Sequence, residues 1–422
     1  MVGAGVFLLP AAMASFGGIS LLGWLVSAAG ALFIARTFSE TSKLIPHVNG
    51  GPYGYSRKGF GDFMGFLMAW GYWISVWCAN AAITVSLISA LSTFFPALSS
   101  SPLLAVFTGL GFIWLLTWVN TLGIRASGEV QLVTTILKLL PLVAIGILGI
   151  YFIHWDYFIP FNRSGTSNLR AIGATAAMTL FAFLGVECAT IPATNIENPV
   201  RTIPRATMLG TGITALVYIF GTMSVMGILS GSELQHSVTP FADTAARMWG
   251  PRAPYWVSAG VAIASFGALN GWIMVQGQLP FAVAKDKLFP SIFGKLNKRG
   301  APYAGIVFSS ILLSLLMMMN YTRGLVEQFR FMMLLASLTC LVPYLFVSAA
   351  YVLIVMELRP PVTTAGWLRV LVPAGLAFIF SLLAIIGAGE DIVFWGFVLM
   401  LAGTPFYVWN QWKRRSTDKN QL

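Results

Sequence analysis

Long apolar runs separated by short polar connections account for most of the chain. Most of these runs reach the roughly 20 residues that a membrane-spanning helix needs. There are eleven of them, at residues 20–42, 63–95, 102–122, 130–153, 171–194, 207–230, 255–283, 303–320, 331–356, 367–388 and 391–411. A shorter apolar stretch, residues 2–16, precedes them. The pattern predicts an all-α membrane protein of twelve transmembrane helices, the first of them truncated.

Two of the apolar segments are interrupted by small residues and proline. Residues 3–6 (GAGV) lead to Pro10, and residues 181–187 (FAFLGVE) lead to Pro192. Irregular backbone at membrane depth is tolerated only where protein buries it or water lines it. Paired interruptions in two halves of a chain indicate the substrate site of a secondary transporter, because half-helix ends direct partial charges at a ligand. The sequence therefore predicts a carrier.

The interrupted segments begin two blocks of similar length. Residues 1–155 and 156–356 each offer five spans, and residues 357–422 hold two accessory helices and a tail. Because five is an odd number, the two blocks must have opposite orientations in the membrane. This predicts a 5+5 inverted repeat in which the discontinuous helices 1 and 6 meet near the bilayer midplane.

The first helix begins directly at its interruption. If Met1 is the true start, the cytoplasmic half of this helix is absent. We therefore expect about 20 further residues upstream in the same reading frame. An in-frame stop codon directly before Met1 would contradict this expectation.

Composition and charge fix the environment and the orientation. With 57% hydrophobic and 9% charged residues among 422, the chain has too little polar surface to fold as a water-soluble globule. Seventeen lysines and arginines lie in one alternating set of connections, and six lie in the other: Arg163, Arg170, Arg247, Arg252, Arg323 and Arg330. By the positive-inside rule we expect a multi-pass protein of the cytoplasmic (inner) membrane with both termini cytoplasmic. No interleaving of basic and aromatic residues indicates nucleic-acid binding.

Five motifs occur in a characteristic order. They are residues 3–10 (GAGVFLLP), 46–55 (PHVNGGPYGY), 181–187, 197–206 (ENPVRTIPRA) and 341–344 (LVPY). Together they resemble the amino acid/polyamine/organocation transporters, and within these the bacterial basic amino acid/polyamine antiporters of the arginine/agmatine group. The resemblance covers nearly the whole chain. It implies transport of an amino acid or amine by alternating access, and a homodimer is one expectation because the resembled exchangers are homodimers.

The resemblance also implies a set of substrate-binding residues. In the family the first interruption holds the substrate carboxylate on open backbone N–H groups near a half-helix end. Aromatic rings face the cationic end, an interaction of about 0.5 to 2 kcal/mol. The candidates are Gly3, Ala4, Gly5, Ser75, Asn80, Phe181, Leu184 and Trp272. Without the resemblance, close helix packing would explain the small residues equally well, and an interhelical hydrogen bond is the alternative for Asn80. For either aromatic ring alone, core or lipid-facing packing would be the better explanation.

Two candidates depart from the arginine/agmatine pattern. Ala4 stands where those exchangers have a serine, and Phe181 stands where they have a tryptophan. Both changes weaken the case for a guanidinium ligand, whereas another amino acid or amine is still expected.

Glu187 is a carboxylate well inside a predicted span, and such residues are costly enough to indicate function. In the family the matching glutamate belongs to an outer gate with two tyrosines, which correspond here to Tyr72 and Tyr344. Uptake of a proton by Glu187 could switch this gate. The alternative is a glutamate that only ties two helices together.

Lys138 is the most consequential departure from the arginine/agmatine group, which has a small apolar residue there. It lies nine residues after Glu129, about 13 Å along a helix and near the middle of a bilayer. In proton-coupled permeases of the same superfamily a lysine here takes the place of a sodium ion. We therefore expect Lys138 and Glu187 to couple transport to protons, independently of sodium. A lysine that snorkels to the interface is the alternative.

No metal site, nucleophile dyad or phosphate loop is found in the sequence, so no cofactor and no enzyme activity are expected. Cys78, Cys188 and Cys340 lie inside predicted spans and are interpreted as core residues. A channel or a non-transporting membrane receptor on the same helical bundle is the alternative function. Acceleration of uptake by substrate on the opposite side would separate a carrier from both.

Overall fold

The computed structural model describes residues 4–48, 50–123, 140–190, 196, 198–358, 360 and 362–419. Over these residues the secondary structure is helical, with no β-strand. Eight helices in this part of the chain are long and apolar enough to cross a membrane. The predicted all-α membrane fold is confirmed, whereas the count of twelve helices and the boundaries of the two repeats stay predictions.

The helices follow the apolar runs closely. They are α1 Leu9–Met13, α2 Ser20–Leu44, α3 Pro52–Phe60, α4 Asp62–Ser92, α5 Ala97–Ser100, α6 Pro102–Thr121, α7 Leu140–Phe152, α8 Asn168–Leu180, α9 Pro199–Ile228, α10 Gly231–His236, α11 Pro240–Trp249, α12 Ala253–Lys285, α13 Tyr303–Met319, α14 Leu325–Leu358, α15 Thr364–Gly387, α16 Glu390–Leu401 and α17 Thr404–Lys419. Short 3-10 turns lie at Ala4–Phe7, Ala14–Ile19, Trp155–Phe158, Phe181–Phe183, Cys188–Thr190 and Ser291–Gly294.

Proline and capping residues explain where several helices begin. Proline stands in the first turn of α3, α6, α9 and α11, where its missing N–H costs no hydrogen bond and its fixed φ suits the helix. Pro10 also lies in the first turn of α1, so it starts this helix and does not interrupt it. The sequence analysis missed α10 and α11, although Ser230 and Glu233 form a capping box that marks the start of α10.

Helix α4 forms the centre of the fold and packs between α12 and α14. Its apolar side chains are buried nearly all around the helix, which is the pattern of an internal helix. The outer helices α6, α15 and α16 instead expose large apolar side chains, including Phe107, Trp118, Ile386 and Phe394. An outer surface of this kind matches a lipid environment.

Ion pairs mark two opposite rims of the helical bundle. The basic rim consists of the end of α2, α3, the start of α4 and the ends of α12 and α14. The opposite rim contains α10, α11 and the start of α14. The described pairs are Lys43–Glu40, Arg57–Asp62, Arg57–Asp286 and Lys58–Glu357 on the basic rim, and Arg247–Glu233 and Arg323–Glu327 on the opposite rim. Each joins residues of the same rim, in agreement with the predicted alternation of the connections.

Glycine permits close contact between neighbouring helices at several points. A Cβ atom added at Gly30 on α2 would overlap the base of the Phe380 ring on α15. A Cβ atom at Gly375, on the same helix as Phe380, would meet open space. The two glycines therefore differ in packing, although both lie inside helices.

We predict that Gly30→Ala lowers the free energy of unfolding by about 1–3 kcal/mol, the usual cost of overpacking a filled contact. Thermal unfolding of the purified protein in detergent measures the change. Gly375→Ala is the matched control and is expected to leave stability unchanged or slightly higher, since alanine favours helix. Equal behaviour of the two variants would contradict the packing described for α2 and α15.

Candidate functional site

The first interruption is an irregular segment at the start of the described chain. The 3-10 turn Ala4–Phe7 precedes α1. Gly3 and the side chain of Ala4 lie outside the described part of the chain. At Gly5 an added Cβ atom would overlap the ring of Phe181. Because only glycine leaves room for this ring, Gly5 brings the first interruption against the second.

The second interruption begins where α8 ends. A 3-10 turn covers Phe181–Phe183, Leu184 is extended, and Gly185 has a φ of 99°. This φ lies in the left-handed region that glycine adopts without strain. A further 3-10 turn at Cys188–Thr190 follows. The predicted discontinuity is therefore present, while Pro192 lies outside the described residues.

A small cavity lies where the two interruptions meet. Its volume is about 30 Å³, and it is lined by Gly5, Val6, Ala79, Ile83, Phe181, Ala182, Leu184, Tyr218 and Trp272. This is room for about one or two water molecules. An amino acid or amine can enter only if the surrounding walls move apart.

The lining is aromatic and aliphatic, and none of its side chains carries a charge. Four predicted candidates line the cavity, namely Gly5, Phe181, Leu184 and Trp272. The sequence analysis missed Tyr218, because a single tyrosine in the apolar run of α9 gives no signal of its own. A cation in this cavity would be attracted by ring faces, and a carboxylate by the backbone N–H groups of the interruptions.

Glu187 and two tyrosines form a buried hydrogen-bonded cluster. The Tyr72 hydroxyl donates to Glu187 Oε1 at 2.5 Å, and the Tyr344 hydroxyl donates to Oε2. The backbone N–H of Gly185 donates to Oε2 at 3.1 Å. The Glu187 side chain is completely buried. These three donors replace the hydrogen bonds that the carboxylate would make with water. Because they come from α4, the second interruption and α14, the cluster connects these three elements.

The cluster lies on the side of the cavity that faces the basic rim. Tyr72 is ten residues after Asp62, about 15 Å from the basic rim along α4. Ala79 and Ile83, which line the cavity, lie farther along the same helix, towards the opposite rim. With the orientation predicted from charge, this is the cytoplasmic side of the cavity, whereas the motifs led us to expect an outer gate.

Aromatic contacts lie on the other side of the cavity. Phe7 packs edge-on against Phe241 of α11 with ring centroids 5.3 Å apart. Phe181 packs edge-on against Phe329, near the start of α14, at 5.9 Å. These ring contacts lie between the cavity and the opposite rim.

Two of the described substrate-binding candidates do not line the cavity. Ser75 is buried and lies three residues after Tyr72 on α4, about one turn from the Glu187 cluster. Asn80 is fully buried and donates through Nδ2 to Gln276 Oε1 at 2.7 Å. Lys138 lies outside the described residues. Gln276 was not predicted, because no motif of the resembled family points to it.

Comparisons with known proteins bear on the family and the fold of the chain. The family model described as amino acid permease matches residues 1–410. The cadaverine/lysine antiporter of Escherichia coli is 32% identical over 99% of this chain and 93% of its own. The putrescine transporter PotE of Haemophilus influenzae is 30% identical over 96% of this chain and 93% of its own. The crystal structure of MhsT in complex with L-phenylalanine covers 92% of this chain and 96% of its own, with a TM-score of 0.62 and 15% identity, which is consistent with the inverted-repeat transporter fold.

We predict that Tyr72→Phe and Tyr344→Phe each lower the free energy of unfolding by about 1.5–3 kcal/mol, because each removes a hydrogen bond to a buried carboxylate. Thermal unfolding in detergent measures the loss. Tyr351→Phe is the matched control on α14, since the Tyr351 hydroxyl makes no hydrogen bond to the described residues. A loss in Tyr351→Phe as large as in Tyr344→Phe would contradict this account of the cluster.

Proposed function

The chain belongs to the amino acid permease family, and we propose that this secondary transporter exchanges small primary amines and cationic amino acids across the cytoplasmic membrane. The observation that carries the proposal is the uncharged cavity between the two interruptions, with Trp272 and Phe181 in its wall. Ring faces can hold an ammonium group there without a carboxylate.

The relatives support this substrate class. Cadaverine, lysine and putrescine, which name the relatives, share a primary ammonium on an unbranched alkyl chain. Small residues in the cavity wall, Gly5, Ala79 and Ala182, leave space beside the aromatic rings for a slim chain of this kind. In an amino acid substrate, the α-carboxylate would bind the backbone N–H groups of the first interruption.

Alternating access would break the contacts on the two sides of the cavity in turn. Opening towards the basic rim requires Glu187 to release Tyr72 or Tyr344, and opening towards the opposite rim requires Phe7 and Phe241 to separate. A proton on Glu187 would weaken its bonds to the tyrosines, since charge-assisted hydrogen bonds are the stronger ones. We propose on this ground that exchange is proton-linked, while its independence from sodium is proposed from the sequence position of Lys138 alone.

The basic rim supports an orientation with both termini in the cytoplasm. Arg57, Lys58 and their acidic partners lie on this rim together with the ends of α12 and α14. The homodimer implied by the resemblance is part of the same proposal.

Counterflow in proteoliposomes tests the transported class. Liposomes preloaded with unlabelled cadaverine or lysine are expected to take up labelled cadaverine faster than empty ones. In an exchanger, an unlabelled substrate bound on the inner side lets the binding site return to the outer side for the next labelled molecule. In Trp272→Leu we expect the KM for cadaverine to rise about 2- to 30-fold through loss of the cation–π contact.

Trp256→Leu is the matched control, because Trp256 lies on the same helix and is 79% exposed. Its KM should equal that of the wild type. Uptake that ignores the preloaded amine would overturn the carrier, and equal effects of the two tryptophan variants would overturn the role of Trp272.

The proposed role of Lys138 in proton coupling rests on the sequence, since this residue lies outside the described part of the chain. We predict that Lys138→Ala flattens the dependence of amine uptake on pH, because alanine cannot take up or release a proton. Initial uptake rates across a pH series measure the profile. An unchanged profile in this variant would show that Lys138 does not couple transport to protons.

A further inference from the structure

Asn80 and Gln276 form an amide pair directly behind the cavity wall. Asn80 lies between Ala79 and Ile83 on α4, and both of these residues line the cavity. Gln276 lies four residues after Trp272 on α12, so it is one turn from another lining residue. Both amide side chains are completely buried. The pair is therefore adjacent to the site and shielded from solvent.

The backbone carbonyl of Ile306 fixes the orientation of both amides. A carbonyl oxygen can only accept, so the Gln276 atom 3.3 Å from it must be the NH₂ group. The same NH₂ group donates to Ser310 Oγ at 2.8 Å, while Ser310 itself donates to Ile306. Gln276 Oε1 then faces Asn80, and only the Asn80 NH₂ group can donate to it.

This arrangement leaves the carbonyl oxygen of Asn80 unused. No donor among the described residues lies within hydrogen-bond distance of Asn80 Oδ1, although the atom is buried. A buried acceptor without a partner is unfavourable, and such atoms in native proteins call for an explanation. A substrate donor that reaches Asn80 when the cavity opens would supply the missing partner.

We propose that Gln276 is a specificity-determining positioning residue, which holds the Asn80 amide so that its carbonyl oxygen is the atom left for the substrate. This inference rests on the proposed function and deepens it. An ammonium group carries only donors and satisfies Asn80 Oδ1, whereas a carboxylate carries only acceptors and is rejected there. Gln276 thereby selects the cationic end of a substrate without touching it.

Competition experiments with two ligands of similar length test the inference. Lysine ends in an ammonium and 2-aminoadipate in a carboxylate, and each competes with labelled cadaverine for uptake into preloaded proteoliposomes. The wild type should prefer lysine at least about tenfold, as expected where one ligand fills and the other opposes a buried acceptor. In Gln276→Met, which removes both hydrogen-bonding groups at similar length, the Asn80 amide can turn. The preference should then fall at least about fivefold while the maximal rate changes little.

One further variant separates positioning from packing. Asn270→Leu removes a different amide bond of α12, the 2.8 Å bond from Asn120 to Asn270, and should leave the preference unchanged. A loss of preference in Asn270→Leu equal to that in Gln276→Met would assign Gln276 to packing alone and overturn the inference.

The outcomes keep the two proposals apart. If the wild type exchanges neither cadaverine, putrescine nor lysine, the proposed function fails. If it exchanges them but the lysine preference is equal in the wild type and Gln276→Met, only the inference fails. If Gln276→Met does not yield monodisperse protein, the wild type still decides, since equal or stronger competition by 2-aminoadipate would overturn the assignment of Asn80 Oδ1.

Discussion

The need to satisfy every backbone polar group inside a membrane governs this structure. Regular helix does so without help, so the two places where helix gives way must be enclosed by protein. Gly5 allows this by letting the ring of Phe181 lie directly on the first interruption. The two irregular segments meet at the centre of the bundle, beside α4, which packs between α12 and α14. At this point, backbone groups that lack helical partners can form hydrogen bonds with a polar ligand.

The Glu187 cluster extends this principle to side chains. A buried carboxylate is stable only while donors surround it, and its donors come from α4, from α14 and from the turn at Gly185. Any movement that separates α4 from α14 must therefore supply the carboxylate with water, a proton or new partners. The amide pair of Asn80 and Gln276 is likewise arranged by its buried hydrogen-bond partners. The Ile306 carbonyl can only accept, so it determines the orientation of the Gln276 amide and, through it, that of the Asn80 amide.

The sequence predicted what depends on hydropathy and motif order. The run at residues 63–95 corresponds to α4, and the motifs indicated Tyr72, Glu187 and Tyr344, which meet although more than a hundred residues separate them in sequence. A motif names residues and does not give their depth in the bundle, so only the structure shows that they meet on the side of the basic rim. Gln276 and Tyr218 escaped prediction, since their positions beside the site follow from how α9, α12 and α13 pack, which no local pattern encodes.

The small volume of the cavity has a consequence for any affinity that is measured. With room for about one or two water molecules, the conformation described here is not the one that holds a ligand, and the protein must first adopt a roomier one. The apparent affinity is lowered in proportion to how rarely that roomier conformation occurs. A weak apparent affinity would therefore reflect the rarity of the roomier form, even where the individual contacts to the ligand are strong.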